Sequence, residues 1–264
     1  MRTVEEYTKI LDLHGTGFNF CQISKKLNIP RTTIRDFIKN NKDHSLVGLK
    51  ESVANTIVDK LKFPSSIEDE LIRKEYSYFL GIFLGDGCLS KLAYKNLYRL
   101  RIALDVKYPN IIQKVKNCVS IIMPNNAVSL VDISYRGKPS CINVSCYSKQ
   151  WLQFLPFYQS GHKWKYKIEL SDWQKQIVEN YPKDFWLGLF HSDGSRYLHT
   201  NSSNYYYNFS QKSQDITNLF MWCSDLLGIK YGITKYIHPY GSNKIQIYNR
   251  KSIIFLDSFA GAKT

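Results

Sequence analysis

The feature that most constrains this chain is a segment it writes twice. Tyr78–Ser90 reads YFLGIFLGDGCLS, and Asp184–Arg196 reads DFWLGLFHSDGSR. Each is an apolar helical run with small residues four apart, Gly81 and Gly85 in one and Gly188 and Ser192 in the other. Small residues at that spacing allow two helices to approach at backbone distance. Each run then stops on an aspartate followed by glycine, Asp86-Gly87 and Asp193-Gly194. If the small faces pack on each other, the helices run side by side and the two aspartates become neighbours. Gly87 and Gly194 are expected to end the helices in the left-handed conformation.

The sequence that follows each copy recurs as well. With Lys107 aligned on Lys212, both copies show a period-two strand running into an amphipathic helix. Leu100, Ile102 and Leu104 are expected to face inward, matched by Tyr205, Tyr207 and Phe209. Arg99, Arg101, Ala103 and Asp105 would face outward, matched by Asn204, Tyr206, Asn208 and Ser210. A second strand pair follows: Asn143, Ser145 and Tyr147 face outward in one copy, and Lys244, Gln246 and Tyr248 in the other. Each copy closes with a helix (WLQFLPFY and SIIFLDSF) and a Gly-x-Lys, which places Lys163 and Lys263 at the same point of both halves. Such a pattern predicts an α+β fold, a pseudo-twofold αββαββα tandem repeat whose half-buried sheets each have one polar face.

Two carboxylates meeting where two helix C-termini also present negative partial charge are in electrostatic conflict. A hard divalent cation such as Mg2+ resolves it with oxygen ligands, and carboxylate-held metal at a phosphodiester activates water and stabilises the leaving oxyanion. Lys163 and Lys263 are placed to stabilise transition-state charge. Composition agrees about the partner: Lys and Arg number 36 against 22 Asp and Glu, a net +14 spread along the chain, which favours a polyanion. The six cysteines show no CxxC and no zinc spacing, so reduced core thiols are expected. No run of eighteen apolar residues and no signal-peptide shape are present, giving an expectation of a soluble, cytoplasmic protein.

Phe18–Asn41 (FNFCQISKKLNIPRTTIRDFIKNN) has its own architecture. Ile23 and Leu27 share a helical face, Asn28-Ile29-Pro30 breaks it, and Ile34, Phe37 and Ile38 restore an apolar stripe. With a third stripe at Val4, Tyr7, Ile10 and Leu11, this predicts a small all-α helix-turn-helix domain over residues 1–41. Arg31, Thr32, Thr33, Arg35 and Lys39 are its candidate DNA contacts. Residues 42–66 read as a linker with one short helix near Ser52–Leu61, followed by repeats over 67–170 and 171–264.

The motifs FLGIFLGDG (Phe79–Gly87) and WLGLFHSDG (Trp186–Gly194) resemble the signature helices of LAGLIDADG homing endonucleases. The resemblance covers roughly Tyr76 to Thr264 and is greatest to single-chain, two-repeat members with an N-terminal helix-turn-helix. It implies a saddle whose concave sheets lie in the DNA major groove, with Asp86 and Asp193 as metal-binding acids and Gly85 and Ser192 completing the candidate metal set. Lys163 and Lys263 correspond to the basic residues flanking the site. The polar sheet faces become the base-reading surface, with Arg136, Lys138 and Arg196 added to the candidate DNA contacts. His191 departs from the signature, at a position expected to serve packing. The implied activity is Mg2+-dependent, site-specific cleavage of double-stranded DNA at a long asymmetric target by a monomer. Mn2+ is expected to substitute, and Ca2+ to bind without turnover. A non-catalytic DNA-binding transcriptional regulator on the same scaffold is the alternative; an RNA maturase is a third reading, disfavoured because A-form grooves are poorly read by strands.

Overall fold

The computed structural model describes residues 4–40, 69–92, 97–135, 138–156, 162–198, 204–234 and 243–264. The chain divides into two units, Met1–Lys62 and Phe63–Thr264. The expected linker and its short helix lie outside the described residues.

In the first unit, helices α1 (Val4–Gly15), α2 (Phe20–Leu27) and α3 (Arg31–Asn40) enclose a small core of Ile10, Ile23, Ile29, Ile34 and Ile38. Asn19 starts α2 by accepting from the backbone N–H groups of Cys21 and Gln22, while Gln22 Oε1 accepts from Asn19 N at 2.9 Å, a reciprocal cap. The helix ends on Asn28 at φ 52°, which asparagine tolerates better than most side chains. Ser24 Oγ then donates to Ile29 O at 2.6 Å and fixes the turn into α3.

The second unit is built twice over. Its first half runs α4 (Glu70–Asp86), β1 (Gly87–Lys91), β2 (Tyr98–Asp105), α5 (Pro109–Ile122), β3 (Val128–Tyr135), β4 (Lys138–Ser148) and α6 (Trp151–Phe154). The second runs α7 (Asp172–Asn180), α8 (Pro182–Asp193), β5 (Gly194–Leu198), β6 (Tyr205–Gln211), α9 (Gln214–Leu226), β7 (Gly232–Thr234), β8 (Asn243–Ile247) and α10 (Arg250–Asp257). Both sheets are antiparallel, with the equivalent strand orders β1-β2-β4-β3 and β5-β6-β8-β7. This is the expected tandem αββαββα architecture, with α7 as an addition. Helix α6 is shorter than WLQFLPFY allowed, because Pro156 forces the residue before it out of helical geometry. No described helix is long and apolar enough to cross a membrane.

Helices α4 and α8 pack at the centre with reciprocal geometry. A Cβ built on Gly81 would lie 2.8 Å from Leu189 N, and one on Gly188 would lie 2.8 Å from Ile82 N. Each glycine also abuts the backbone carbonyl three residues before its partner, Phe185 or Tyr78, a pseudo-twofold relation read from backbone atoms. Around this pair lie Phe79, Phe83, Trp151, Trp186 and Phe190, all fully buried, and Phe209 stacks on Phe220 at 4.1 Å.

The sheet register corrects the alignment on Lys107 and Lys212. Gly87 pairs with Ile102 and Gly194 with Phe209, so Ile102 and Phe209 are equivalent. The stretch from there to the next helix is two residues longer in the first half. A slip of two preserves strand parity, so most side chains kept the faces expected of them. Leu100, Ile102, Leu104, Tyr207 and Phe209 are buried as expected, but Tyr205, at the strand end, is 43% exposed.

Candidate metal centre

Asp86 and Asp193 are the last residues of α4 and α8. The close approach that begins at Gly81 and Gly188 continues to these ends. A Cβ on Gly85 would overlap the Ser192 side chain and lie 2.5 Å from Asp193 Oδ2. The helices do not end in left-handed residues: Gly87 (φ −78°, ψ 148°) and Gly194 (φ −88°, ψ 163°) are extended and pass directly into β1 and β5. Glycine is required there for space, since a Cβ at either position would lie 2.6 Å from the carbonyl oxygen of Phe83 or Phe190.

The lysines close the site from outside the helices. Lys163, on a 3-10 turn (Lys163–Lys165), donates from Nζ to Phe83 O at 3.0 Å and also to Gly85 O. Lys263 Nζ donates to Ser192 O at 3.0 Å, after a turn in which Gly261 adopts φ 59°. Their ammonium groups thus bond to carbonyls of the last helical turn, of which Phe83 O also accepts from Gly87 N, and oppose its partial negative charge. Gly161 lies outside the described residues, so only the second Gly-x-Lys is seen whole.

Four ionisable groups share this desolvated space. Burial, then the neighbouring Asp193, pushes the Asp86 carboxyl up to about 6, against the pull of Lys163 and Lys263. Asp193 is also raised by burial, but both lysines, Gln211 and Ser192 act to lower it. Burial brings each lysine down to about 8 although both carboxylates favour its charged form. Among the described residues no group of three or more His, Cys, Asp or Glu could hold a metal, so the acidic pair stands alone. Its hard oxygen donors suit a divalent cation that retains waters. The Gly85 and Ser192 carbonyls each accept a lysine ammonium and keep a second lone pair.

Gln211 was not among the expected site residues. It ends β6 and donates from Nε2 to Asp193 Oδ2 at 2.8 Å, while its Oε1 accepts from Lys212 N at 2.7 Å. Strand parity was the available signal, since Gln211 continues the inward series of Tyr207 and Phe209. Its equivalent by sheet register is Leu104, an apolar buried residue, so the two carboxylates have different supports. His191 serves packing: its Nδ1 lies 2.8 Å from Tyr78 Oη, and burial brings it down to about 3. The neutral ring thus shares one hydrogen bond with the Tyr78 hydroxyl.

The expected DNA contacts divide by environment. Arg99 and Arg101 reach the outward face, where Arg99 Nε donates to Ser145 Oγ at 2.9 Å and its guanidinium lies 5.6 Å from the Tyr147 ring. Ser145 is a correction, being 1% exposed and occupied in holding Arg99 and donating to Leu100 O at 3.1 Å. Asn143 is also largely buried, flanked by strands on both sides. Arg196 is a second correction. It pairs with Tyr207 in register and so lies on the helix-facing side, where it forms a bidentate pair with Asp257 at 2.8 and 3.0 Å and stacks on Tyr205 at 3.6 Å. Tyr147 and Tyr248 are exposed, and Tyr206, Asn208, Lys244 and Gln246 are part-exposed on the outward face. Asn204 is exposed just before β6. Arg31, Thr32 and Arg35 are exposed on α3 and Thr33 is half-buried. Arg136 lies outside the described residues, and only the backbones of Lys39 and Lys138 are described.

No family model matches the chain. An uncharacterized protein of Methanocaldococcus jannaschii is 29% identical over 185 residues, 70% of this chain and 58% of that protein. The chain thus spans less than two thirds of the length of that relative. Among solved structures, I-DmoI in complex with DNA and Mn matches with a TM-score of 0.52 and 17% identity, over 73% of this chain and 99% of that one. I-DmoI in complex with DNA and Ca matches at 0.51 and 17%, over 72% and 91%. That protein is a homing endonuclease. At such identity the likeness concerns architecture alone: residues beyond the N-terminal unit form the LAGLIDADG tandem-repeat fold.

Proposed function

We propose that this protein is a divalent-metal-dependent, site-specific endonuclease of double-stranded DNA, acting as a monomer on a long asymmetric target. The observation that carries the reading is the meeting of Asp86 and Asp193 at the ends of two helices locked by Gly81 and Gly188, with Lys163 and Lys263 against the same helix ends. A carboxylate pair held at the cost of raising Asp86 to about 6 has no packing role that asparagine or serine would not fill better.

Asp86 and Asp193, with the carbonyls of Gly85 and Ser192, would hold the cation, Mg2+ or Mn2+ for turnover. Bound there, it would supply an activated water and neutralise charge on the phosphodiester oxygens. The chain's own groups do the rest. Gln211 fixes the orientation of the Asp193 carboxylate. Lys163 and Lys263 place positive charge beside the oxygens that become more negative during cleavage. The outward sheet faces set the register on DNA, and the exposed residues of α3 extend the footprint.

The test is incubation of the full-length protein with a randomised duplex library in Mg2+, with Ca2+ and Asp193→Asn as controls. Mg2+-dependent ends clustering on one sequence, absent with Asp193→Asn while that variant still binds, are the expected result. Selective binding without ends in Mg2+ or Mn2+ would replace this reading with that of a regulator. Removal of residues 1–40 should weaken binding and reduce its salt dependence; unchanged affinity would refute the role assigned to α3.

A further inference from the structure

The outward face of the first sheet is not polar throughout. Val131 pairs with Asn143 and Ile133 with Cys141, which puts both aliphatic residues on the same face as Arg99, Arg101 and Tyr147. They are 40% and 41% exposed, and the exposed Ala103 continues the patch across Asn143. The face therefore grades from arginines at one end to an apolar strip at the other, where Asp105, across Cys141 from Ile133, is paired with Lys107 at 3.0 Å. Among its described residues the second sheet has no counterpart: those facing outward are Ser195, Tyr197, Tyr206, Asn208, Ser210, Lys244 and Gln246, with Gly232 and Thr234 on the edge strand.

Exposed aliphatic side chains on a strand beside arginines, in a chain of net charge +14, fit a partner that is anionic yet carries apolar points. In the DNA major groove the apolar point is the C5-methyl group of thymine, and alkyl side chains are its readers. Spacing agrees. Residues two apart on a strand are separated by roughly 6.6 Å, and two base steps rise about 6.8 Å.

We propose that Val131 and Ile133 determine specificity by contacting the methyl groups of two thymines separated by one base pair, in the half-site covered by the first sheet. This rests on the reading of the sheets as a DNA-binding surface and assigns the chemistry that one of them selects.

The experiment uses the full-length protein in Ca2+. Preferred duplexes are selected from a random library, and each thymidine of the consensus is then replaced singly by deoxyuridine, which removes only the methyl group. The expected result is a loss of about fourfold in affinity at each of two thymines one base pair apart, with little effect elsewhere. Val131→Ser should abolish the effect at one position and Ile133→Ser at the other, with the same consensus otherwise bound. A consensus that binds tightly but is indifferent to deoxyuridine, or a deoxyuridine effect unchanged in both variants, overturns the proposal and leaves the endonuclease reading standing. Failure to enrich any duplex overturns both.

Discussion

Gly188→Ala tests the mechanical premise of the site. The new Cβ would lie 2.8 Å from Ile82 N and 3.0 Å from Gly81 Cα, and closer still to Tyr78 O. Unstrained contacts to carbon are about 3.5 Å or more, and the obstructing atoms are helix backbone that cannot rotate away. Relief therefore requires α4 and α8 to separate by roughly 0.5–1 Å. Overpacking of this kind costs about 1–3 kcal/mol, which for a unit of this size lowers Tm by roughly 3–10 °C. The same displacement is transmitted along α8 to Asp193, and a shift near 1 Å at a reacting centre costs on the order of a hundredfold in rate. Differential scanning calorimetry reads the first effect and single-turnover cleavage the second. A variant melting within about 1 °C of the parent would refute the backbone contact, and with it the account of how the carboxylates are held together.

Mg2+ must displace a proton from the pair below the pH at which Asp86 ionises, about 6. Calorimetric Mg2+ affinity should fall up to tenfold per unit below pH 6, and should rise again as Lys163 and Lys263 lose their charge near 8; an affinity unchanged between pH 5 and 7 would remove Asp86 from the ligand set. His191, brought down to about 3 by burial, should show no NMR titration between pH 5 and 8. Since the unfolded ring binds its proton near 6.5, stability from this group is present above that pH and lost as pH falls toward 3, by about 2 kcal/mol at pH 5. A titration midpoint near 6.5 would contradict the Tyr78 pairing. Tyr76 is fully buried, and its hydroxyl donates to Phe154 O and accepts from Gln174 Nε2 at 2.8 Å. Tyr76→Phe should cost about 1–3 kcal/mol in urea denaturation, and no loss would mean that Gln174 repairs the gap.

Legibility in the sequence followed repetition. One LGxxxxDG helix has several uses, but two copies with small residues facing each other specified both the helix pair and the meeting of Asp86 with Asp193. Strand faces were legible for the same reason, and the two-residue slip between Lys107 and Lys212 did no harm because a sheet alternates with period two. What could not be read was whatever depended on a third element. Arg196 looked like a free cation until β5 turned it toward Asp257 of α10. Ser145 looked like a reader until two neighbouring strands closed over it. Strand parity placed Gln211 on the inward side, but nothing in the strand said what it would meet there, since its role comes from the end of α8. Gly87 and Gly194 were located correctly and explained wrongly, since room beside an aromatic helix turn leaves no trace in composition.

The pairing of Gly85 with Ser192 bears on how the two halves can diverge. The Ser192 side chain occupies space that any side chain at 85 would need. A serine in one copy is therefore tolerated on condition that the other keeps glycine, and the reverse exchange would need both changes together. The two positions are thus not free to vary separately. Substitutions there should be inherited as couples across half the chain, and a hybrid assembled from halves of two relatives would inherit a mismatch unless both positions came from the same parent.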